Sequence, residues 1–289
     1  MIKVIVTGGC GFIGGHLVDG LVALGFDVHI VDIRKPDFRN DGATYHNQDI
    51  RDTGGLLKLF KGVTYVFHLA ALPRVQYSIQ NPQETNETNI TGTLNVLEAS
   101  RLCGVKRVIY STSSSVYGNQ PIPFIETMGA CPMSPYGLQK YVGEEYCRLW
   151  SLIYGLETVS LRYFNVYGPR YRADDSLVIG KFLLQKQEGK PLTITGDGEQ
   201  TRDFTHVQDV VHANLLAMLS IGVGNGEVIN IGAGNPVSIN KLADIIGGEK
   251  QYIPERIEPR ATHADNSLAY ELLGWKPQIT ITDGLKELL

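Results

Sequence analysis

No stretch of this sequence concentrates charge of one sign: 26 Lys and Arg stand against 30 Asp and Glu in 289 residues. That balance excludes a basic face built for nucleic acid or an anionic membrane surface, and leaves small anionic ligands to individual arginines. No apolar run reaches the ~18 residues that would cross a bilayer. The amino-terminal MIKVIVTGG opens on a strand rather than a signal peptide, so a cytoplasmic chain is expected. Cys10, Cys103, Cys131 and Cys147 are the four cysteines, and their spacing fits neither a disulfide framework nor a metal site. Free thiols and no metal centre are expected.

Glycine is plentiful, and its densest tract is informative. Residues 3–7 form a β-branched run, 8–14 a glycine-rich turn, 13–24 carry apolar side chains at helical spacing, and 28–32 are again strand-like. That is a βαβ unit. The turn Gly8-Gly-Cys-Gly-Phe-Ile-Gly14 follows a strand and opens a helix, and Asp32 stands 18 residues beyond Gly14 at the end of the next strand. In that context the turn reads as a dinucleotide site: glycines let the backbone approach a pyrophosphate, the helix amino end points N–H groups at it, and a carboxylate takes the ribose hydroxyls. Asp32 would repel a 2′-phosphate, which favours NAD over NADP, with Arg34 nearby tempering the preference.

Further strands are expected at 45–48, 65–69, 107–111 and 158–163, with helices over 83–103 and 135–154. Alternating strands and helices predict an α/β fold, a Rossmann-type doubly wound parallel sheet covered on both faces. After Asn165 the rhythm breaks into the loops GPRYRADDS and GDGEQTRD. Residues 1–165 would form the NAD-binding unit, with about 205–232 returning to it, and 166–289 a smaller carboxyl-terminal substrate-binding lobe.

The stretch MSPYGLQKYVGEEY places Tyr136 and Lys140 four residues apart behind Ser134 and Pro135. Ser134 caps a helix and Pro135 fits its first turn. Tyr136 and Lys140 are then either an ordinary surface pair or a phenol and an ammonium one turn apart, the ammonium lowering the phenol from roughly 10 toward a usable base.

With TGGCGFIG at 7–14, HLAA at 68–71, YSTSSSVYG at 110–118, YGLQK at 136–140, LRYFNVYGPR at 161–170 and GDGEQTRDF at 196–204, the chain resembles the extended short-chain dehydrogenase/reductase family. Within it the chain is most similar to the NAD-dependent nucleotide-sugar epimerases, of which UDP-glucose/galactose 4-epimerase is the type member. The resemblance implies that Gly8, Gly11, Phe12, Ile13, Gly14 and Asp32 hold NAD, with Asp49 and Ile50 near the adenine. Leu69, Ala70, Ala71, Asn89, Ser111, Tyr136, Lys140, Tyr163 and Val166 would complete the cofactor pocket. Asp49 could equally cap the following helix. No role for the Cys10 thiol is implied.

The resemblance also implies a catalytic set of Ser113, Tyr136 and Lys140, with Ser114 the neighbour best placed to share the hydroxyl's part. Relatives that dehydrate or decarboxylate the sugar carry acidic residues after that hydroxyl. Here Ser114 and Ser115 stand there, so oxidation and its reversal remain. For a UDP-hexose, Ser113, Ser114, Tyr136, Asn165 and Arg202 would contact the substrate. Arg256 and Glu258 match the family's second phosphate-binding segment across a one-residue deletion, with Arg260 a rival. Thr262, or Ala261 if the alignment slips, takes the place of a bulky tyrosine that walls the sugar pocket, leaving room for a 2-acetamido group. Thr195 stands where relatives often set an aromatic residue against the base. The family dimerises through two helices per subunit, here 83–103 and 135–154. A nucleotide-sugar reductase of the same family and a non-catalytic NAD-binding regulator are the rival readings.

Overall fold

The computed structural model describes residues 1–170, 177–255 and 258–289. β1 (Lys3–Thr7), α1 (Phe12–Ala23), β2 (Asp27–Asp32), β3 (Ala43–Asn47), α2 (Thr53–Leu59) and β4 (Tyr65–His68) open the chain. Next come α3 (Val75–Gln80), α4 (Pro82–Asn86), a π-helical turn over Glu87–Thr91, α5 (Gly92–Leu102), β5 (Arg107–Ser113), α6 (Pro135–Tyr154) and β6 (Glu157–Tyr163). Then follow β7 (Asn165–Tyr167), α7 (Val178–Gln187), β8 (Leu192–Thr195), β9 (Thr201–Arg202), β10 (Phe204–His206), α8 (Val207–Leu219) and β11 (Asn225–Ile231). The chain closes with β12 (Val237–Ser238), α9 (Ile239–Ile246), β13 (Lys250–Ile253), α10 (Ser267–Leu273) and α11 (Ile281–Lys286).

Seven strands form one sheet in the order β11-β6-β5-β4-β1-β2-β3, every pairing parallel. Side chains alternate across it as period two demands. Val4 and Val6 join the core under α1 and α8 with Leu17, Leu161, Val210 and Trp275. Ile5, between them, joins the opposite core with Leu56, Val66, Val96, Val108 and Cys147. A third core gathers Phe182, Leu192, Ile194, Phe204, Leu242 and Leu285 in the later part of the chain. Because the strands are parallel, Thr7, Asp32, His68, Ser113 and Tyr163 all end at one edge of the sheet. Strand order reverses beside β1, and that crevice is where open α/β sheets bind ligands.

The helix expected over 83–103 is interrupted. The π turn carries an extra residue at Asn89, whose Oδ1 accepts from the Leu72 N–H at 2.8 Å and whose Nδ2 donates to Leu72 O at 3.1 Å and to Gln139 Oε1 at 2.8 Å. Such turns often accompany functional sites.

Arg107, buried at the start of β5, ties the far edge of the sheet. Its Nη1 donates to the carbonyls of Ala217 (2.7 Å), Met218 (3.1 Å) and Ser220 (2.8 Å), and its Nη2 to Val223 O at 2.8 Å. Its Nε reaches Glu157 Oε2 at 2.8 Å. The carbonyls of Ala217, Met218 and Ser220 are among those that the end of α8 leaves without a helical partner. Arg107→Met should therefore lower stability by at least about 2 kcal/mol, since several buried acceptors lose their donor. Denaturant unfolding of the two proteins measures it, with cofactor affinity unchanged.

Candidate active site

The glycine turn is a backbone cradle. Gly8 has φ +72, and a Cβ there would lie 2.7 Å from Ala70 N; one on Gly14 would lie 2.3 Å from Gly8 O. Only glycine lets α1 begin so close to the ends of β1 and β4. Asp32 is buried beside it, one carboxylate oxygen accepting from Cys10 N–H at 3.0 Å and the other from Arg34 N–H at 2.9 Å. Burial and the Asp32 charge push the Cys10 thiol up to about 12, so it stays protonated. A cleft opens along Gly9, Gly11, Phe12, Phe38 and Arg170, while Ile13 packs partly buried against the core under α1. A cradle that any Cβ would fill, with a fixed carboxylate at its side, fits a dinucleotide.

Leu69, Ala70 and Ala71 follow β4 along this turn. Beneath them runs a relay whose direction the hydroxyls determine. Thr93 Oγ1 donates to Asn89 O at 2.7 Å, so it accepts from His68 Nε2 at 2.9 Å. His68 Nδ1 then accepts from Thr7 Oγ1 at 2.7 Å, which itself accepts from Ala70 N–H at 3.2 Å. Burial pushes His68 down to about 3, keeping it neutral as this relay requires.

Asp49 bonds the Arg51 backbone N–H at 2.8 Å and its guanidinium at 2.7 to 3.1 Å, which holds the carboxyl below its usual range. The cap of α2 is Asp52, not Asp49. Ile50 is buried under Gly92, where a Cβ would meet its Cδ1 at 2.5 Å. Asn89 turns its amide to Leu72 and Gln139. Tyr163 and Val166 pack into the core under α1 and α8, and the Tyr163 hydroxyl pairs with Asn214 Oδ1 at 2.9 Å.

α6 begins as its sequence dictates: Ser134 Oγ accepts from Gly137 N–H at 3.1 Å and Pro135 occupies the first turn. A Cβ on Gly137 would lie 2.7 Å from Ser115 O, so glycine brings the helix against the end of β5. Ser78 Oγ accepts from Tyr136 N–H at 3.1 Å, fixing the helix from the α3 side. Lys140 reaches across, its Nζ donating to the Ser111 carbonyl at 2.7 Å and lying 5.9 Å from the centre of the Tyr136 ring. Ser113 Oγ accepts from Ser115 N–H at 3.2 Å, and Ser114 starts the short turn between them.

The expected lowering of the phenol does not occur in the free chain. Burial pushes Tyr136 up to about 12, with the hydrogen bond from Ser113 easing it only in part. Burial pushes Lys140 the other way, down to about 8, against the pull of Glu144. Desolvation dominates, and the phenol stays protonated near neutrality in this environment.

In the later part of the chain, Arg202 and Glu258 meet, Nη2 to Oε2 at 2.9 Å, with the guanidinium buried. Arg256 lies outside the described residues. Arg260 is exposed and forks onto Asp197 at 2.8 Å through both terminal nitrogens. Thr262 is buried; its Oγ1 accepts from Asp203 N–H at 3.1 Å and lies 3.5 Å from Asn165 Oδ1. Thr262 and Asn165 thus adjoin a cleft lined by Asn165, Val166, Tyr167, Leu177 and Phe204. Asp203, which the sequence did not single out, organises this region by accepting from Gly234 N–H at 3.0 Å and Ala264 N–H at 2.9 Å. Its place, between two very short strands in the polar run 200–206, carries no signal of that role.

A family model, the NAD dependent epimerase/dehydratase family, matches residues 4–232. The chain belongs to that family. Its solved relatives include a UDP-glucose 4-epimerase of Thermotoga maritima with UDP-glucose, 38% identical with TM-score 0.94 over 99% of this chain and 96% of that one. A UDP-N-acetylglucosamine 4-epimerase of Methanobrevibacter ruminantium, in complex with UDP-N-acetylmuramic acid, is 36% identical with TM-score 0.91 over 99% and 95%. A UDP-glucuronic acid 4-epimerase of Bacillus cereus with UDP-glucuronic acid and NAD is 34% identical with TM-score 0.92 over 99% and 97%. The cofactor of the family is NAD, and the cradle around Gly8 and Asp32 has the form that NAD requires. Among the described residues no group of three or more His, Cys, Asp and Glu could hold a metal, and no helix is long and apolar enough to cross a membrane.

With Tyr136 raised to about 12 in the cofactor-free chain, ultraviolet titration of wild type and Tyr136→Phe should show the same phenolate absorbance up to about pH 10. Adding NAD should separate the two curves at lower pH, in the wild type only.

Proposed function

We propose that this chain is a cytoplasmic 4-epimerase of UDP-hexoses, interconverting UDP-glucose with UDP-galactose and accepting their 2-acetamido counterparts. The observation that carries the reading is the convergence of Ser113, Tyr136 and Lys140 at the end of β5 with serines, not carboxylic acids, at 114 and 115. Bound NAD supplies the hydride acceptor, later the donor, and a positive charge near the phenol. Tyr136 takes the proton of the sugar 4-hydroxyl, Ser113 holds that oxygen, and Lys140 stabilises the phenolate. Without an acid to expel a hydroxyl or stabilise loss of carbon dioxide, the 4-keto sugar turns in the site and is reduced from its other face.

Arg202 is the diphosphate ligand in this reading, exchanging Glu258 for phosphate oxygens that its planar guanidinium can bond in pairs. Asn165 and Thr262 lie toward the sugar. The outward faces of α5 and α6 expose Leu102, Leu138, Leu152 and Ile153, which supports pairing with a second copy through these helices.

NMR of purified protein incubated separately with UDP-glucose, UDP-N-acetylglucosamine and UDP-glucuronic acid tests the substrate directly; conversion of the last alone would overturn the reading. Tyr136→Phe should lose at least ~100-fold in turnover while still binding nucleotide sugar. Thr262→Tyr should suppress the acetamido substrate and spare UDP-glucose; equal slowing of both, read from kcat/KM, would remove Thr262 from the pocket wall.

A further inference from the structure

Thr112 lies on β5 between Ser111, whose carbonyl holds Lys140, and the catalytic Ser113. Its Oγ1 donates to Glu144 Oε1 at 2.7 Å, a turn beyond Lys140 on α6. Arg162 on β6 grips the same carboxylate, Nε to Oε1 at 2.9 Å and Nη2 to Oε2 at 2.7 Å. The pair is almost wholly buried, with side-chain exposures of 4% and 1%. We propose that Glu144 is a positioning residue for the reaction: clamped by Arg162, it holds Thr112 so as to set the offset of Ser113 from Tyr136, and it sets a negative charge one helical turn from Lys140. The proposal rests on the assignment of Tyr136 as base and Lys140 as its partner.

Two ties join the end of β5 to α6, Lys140 to Ser111 O and Thr112 to Glu144, at the two residues that immediately precede Ser113. Losing the second leaves Lys140 to hold these two residues of β5 against α6 through the Ser111 carbonyl. Stability alone is a weak reason to keep such a cluster, because a buried ion pair is often matched by an apolar pair of the same volume. This one is also imperfect: Arg162 Nη1 is buried without a partner, and its cation is left over the Tyr117 ring at 4.6 Å.

The surroundings of Lys140 point the same way. His68 on β4 is neutral, and Tyr110 on β5 and Cys147 on α6 are pushed up by burial and stay protonated. Tyr136 is the reacting phenol, and Arg162 on β6 is engaged by Glu144. Glu144 is thus the carboxylate among the described residues whose field opposes the desolvation of the ammonium.

The pH dependence of kcat in the NAD-loaded enzyme tests this. Glu144→Gln keeps an oxygen for Thr112 and removes the charge. Its alkaline limb should move down by about one pH unit, a loss of about tenfold in rate at a fixed pH on that limb. Since that variant strands Arg162, the pair Glu144→Gln/Arg162→Met is made beside it; its melting temperature should recover while its alkaline limb stays below wild type. Glu144→Asp keeps the charge but falls short of Thr112, and should slow the reaction at every pH with the limb unmoved. An alkaline limb at the wild-type pH in both charge-free variants, or full recovery in the double variant, overturns the proposal. Tyr136→Phe assayed in parallel separates the cases: if it remains active the base assignment fails, and if it is inactive only the role of Glu144 does.

Discussion

The bond from the buried Lys140 ammonium to the Ser111 carbonyl joins a strand end to a helix start, and most of the site is arranged around making it tolerable. An ammonium taken out of water is unfavourable by several kcal/mol unless other groups replace its hydration. Here the replacements are one carbonyl, the face of Tyr110 at 5.0 Å and the field of Glu144. The parallel sheet makes the arrangement feasible, since it delivers the ends of β1, β2, β4, β5 and β6 to one edge. The glycine turn, Asp32 and Ser113 then stand at the same edge of the sheet without any long loop having to carry them.

Several of these features were legible in the sequence. The strand, glycine turn, helix and strand of 3–32 and the cap at Ser134 follow from local chemistry, and local chemistry is what a sequence states. The electrostatics of Tyr136 and Lys140 were not: residue spacing sets where the two groups stand but says nothing of the burial that drives their proton affinities in opposite directions. α2 and α3 escaped notice because they are too short for a helical period to repeat. The helix over 83–103 was read as continuous because apolar spacing does not report an extra residue whose purpose is to turn Asn89 toward Leu72.

The later part of the chain was hardest to read, for a similar reason. β9, β10 and β12 are two or three residues long, and their positions come from side chains such as Asp203 and Thr262 bonding the backbone of distant loops. These contacts span about sixty positions of chain. Thr262 stands beside Asn165 because what holds it is the backbone of Asp203 rather than the loop that precedes it.

The late addition of β11 at one edge of the large sheet has a consequence for how the protein is made. β6 finds its outer neighbour some sixty residues downstream, and Arg107 waits for carbonyls at 217 to 223 that do not yet exist when β5 leaves the ribosome. A chain emerging in order must therefore carry six strands with β6 as an outer edge through the synthesis of α7 to α8. An unpaired edge recruits foreign strands. The nascent chain is thus most exposed to misassembly just before β11 appears to cover β6, and a translational pause in that interval would lower the yield of folded protein without changing a single residue.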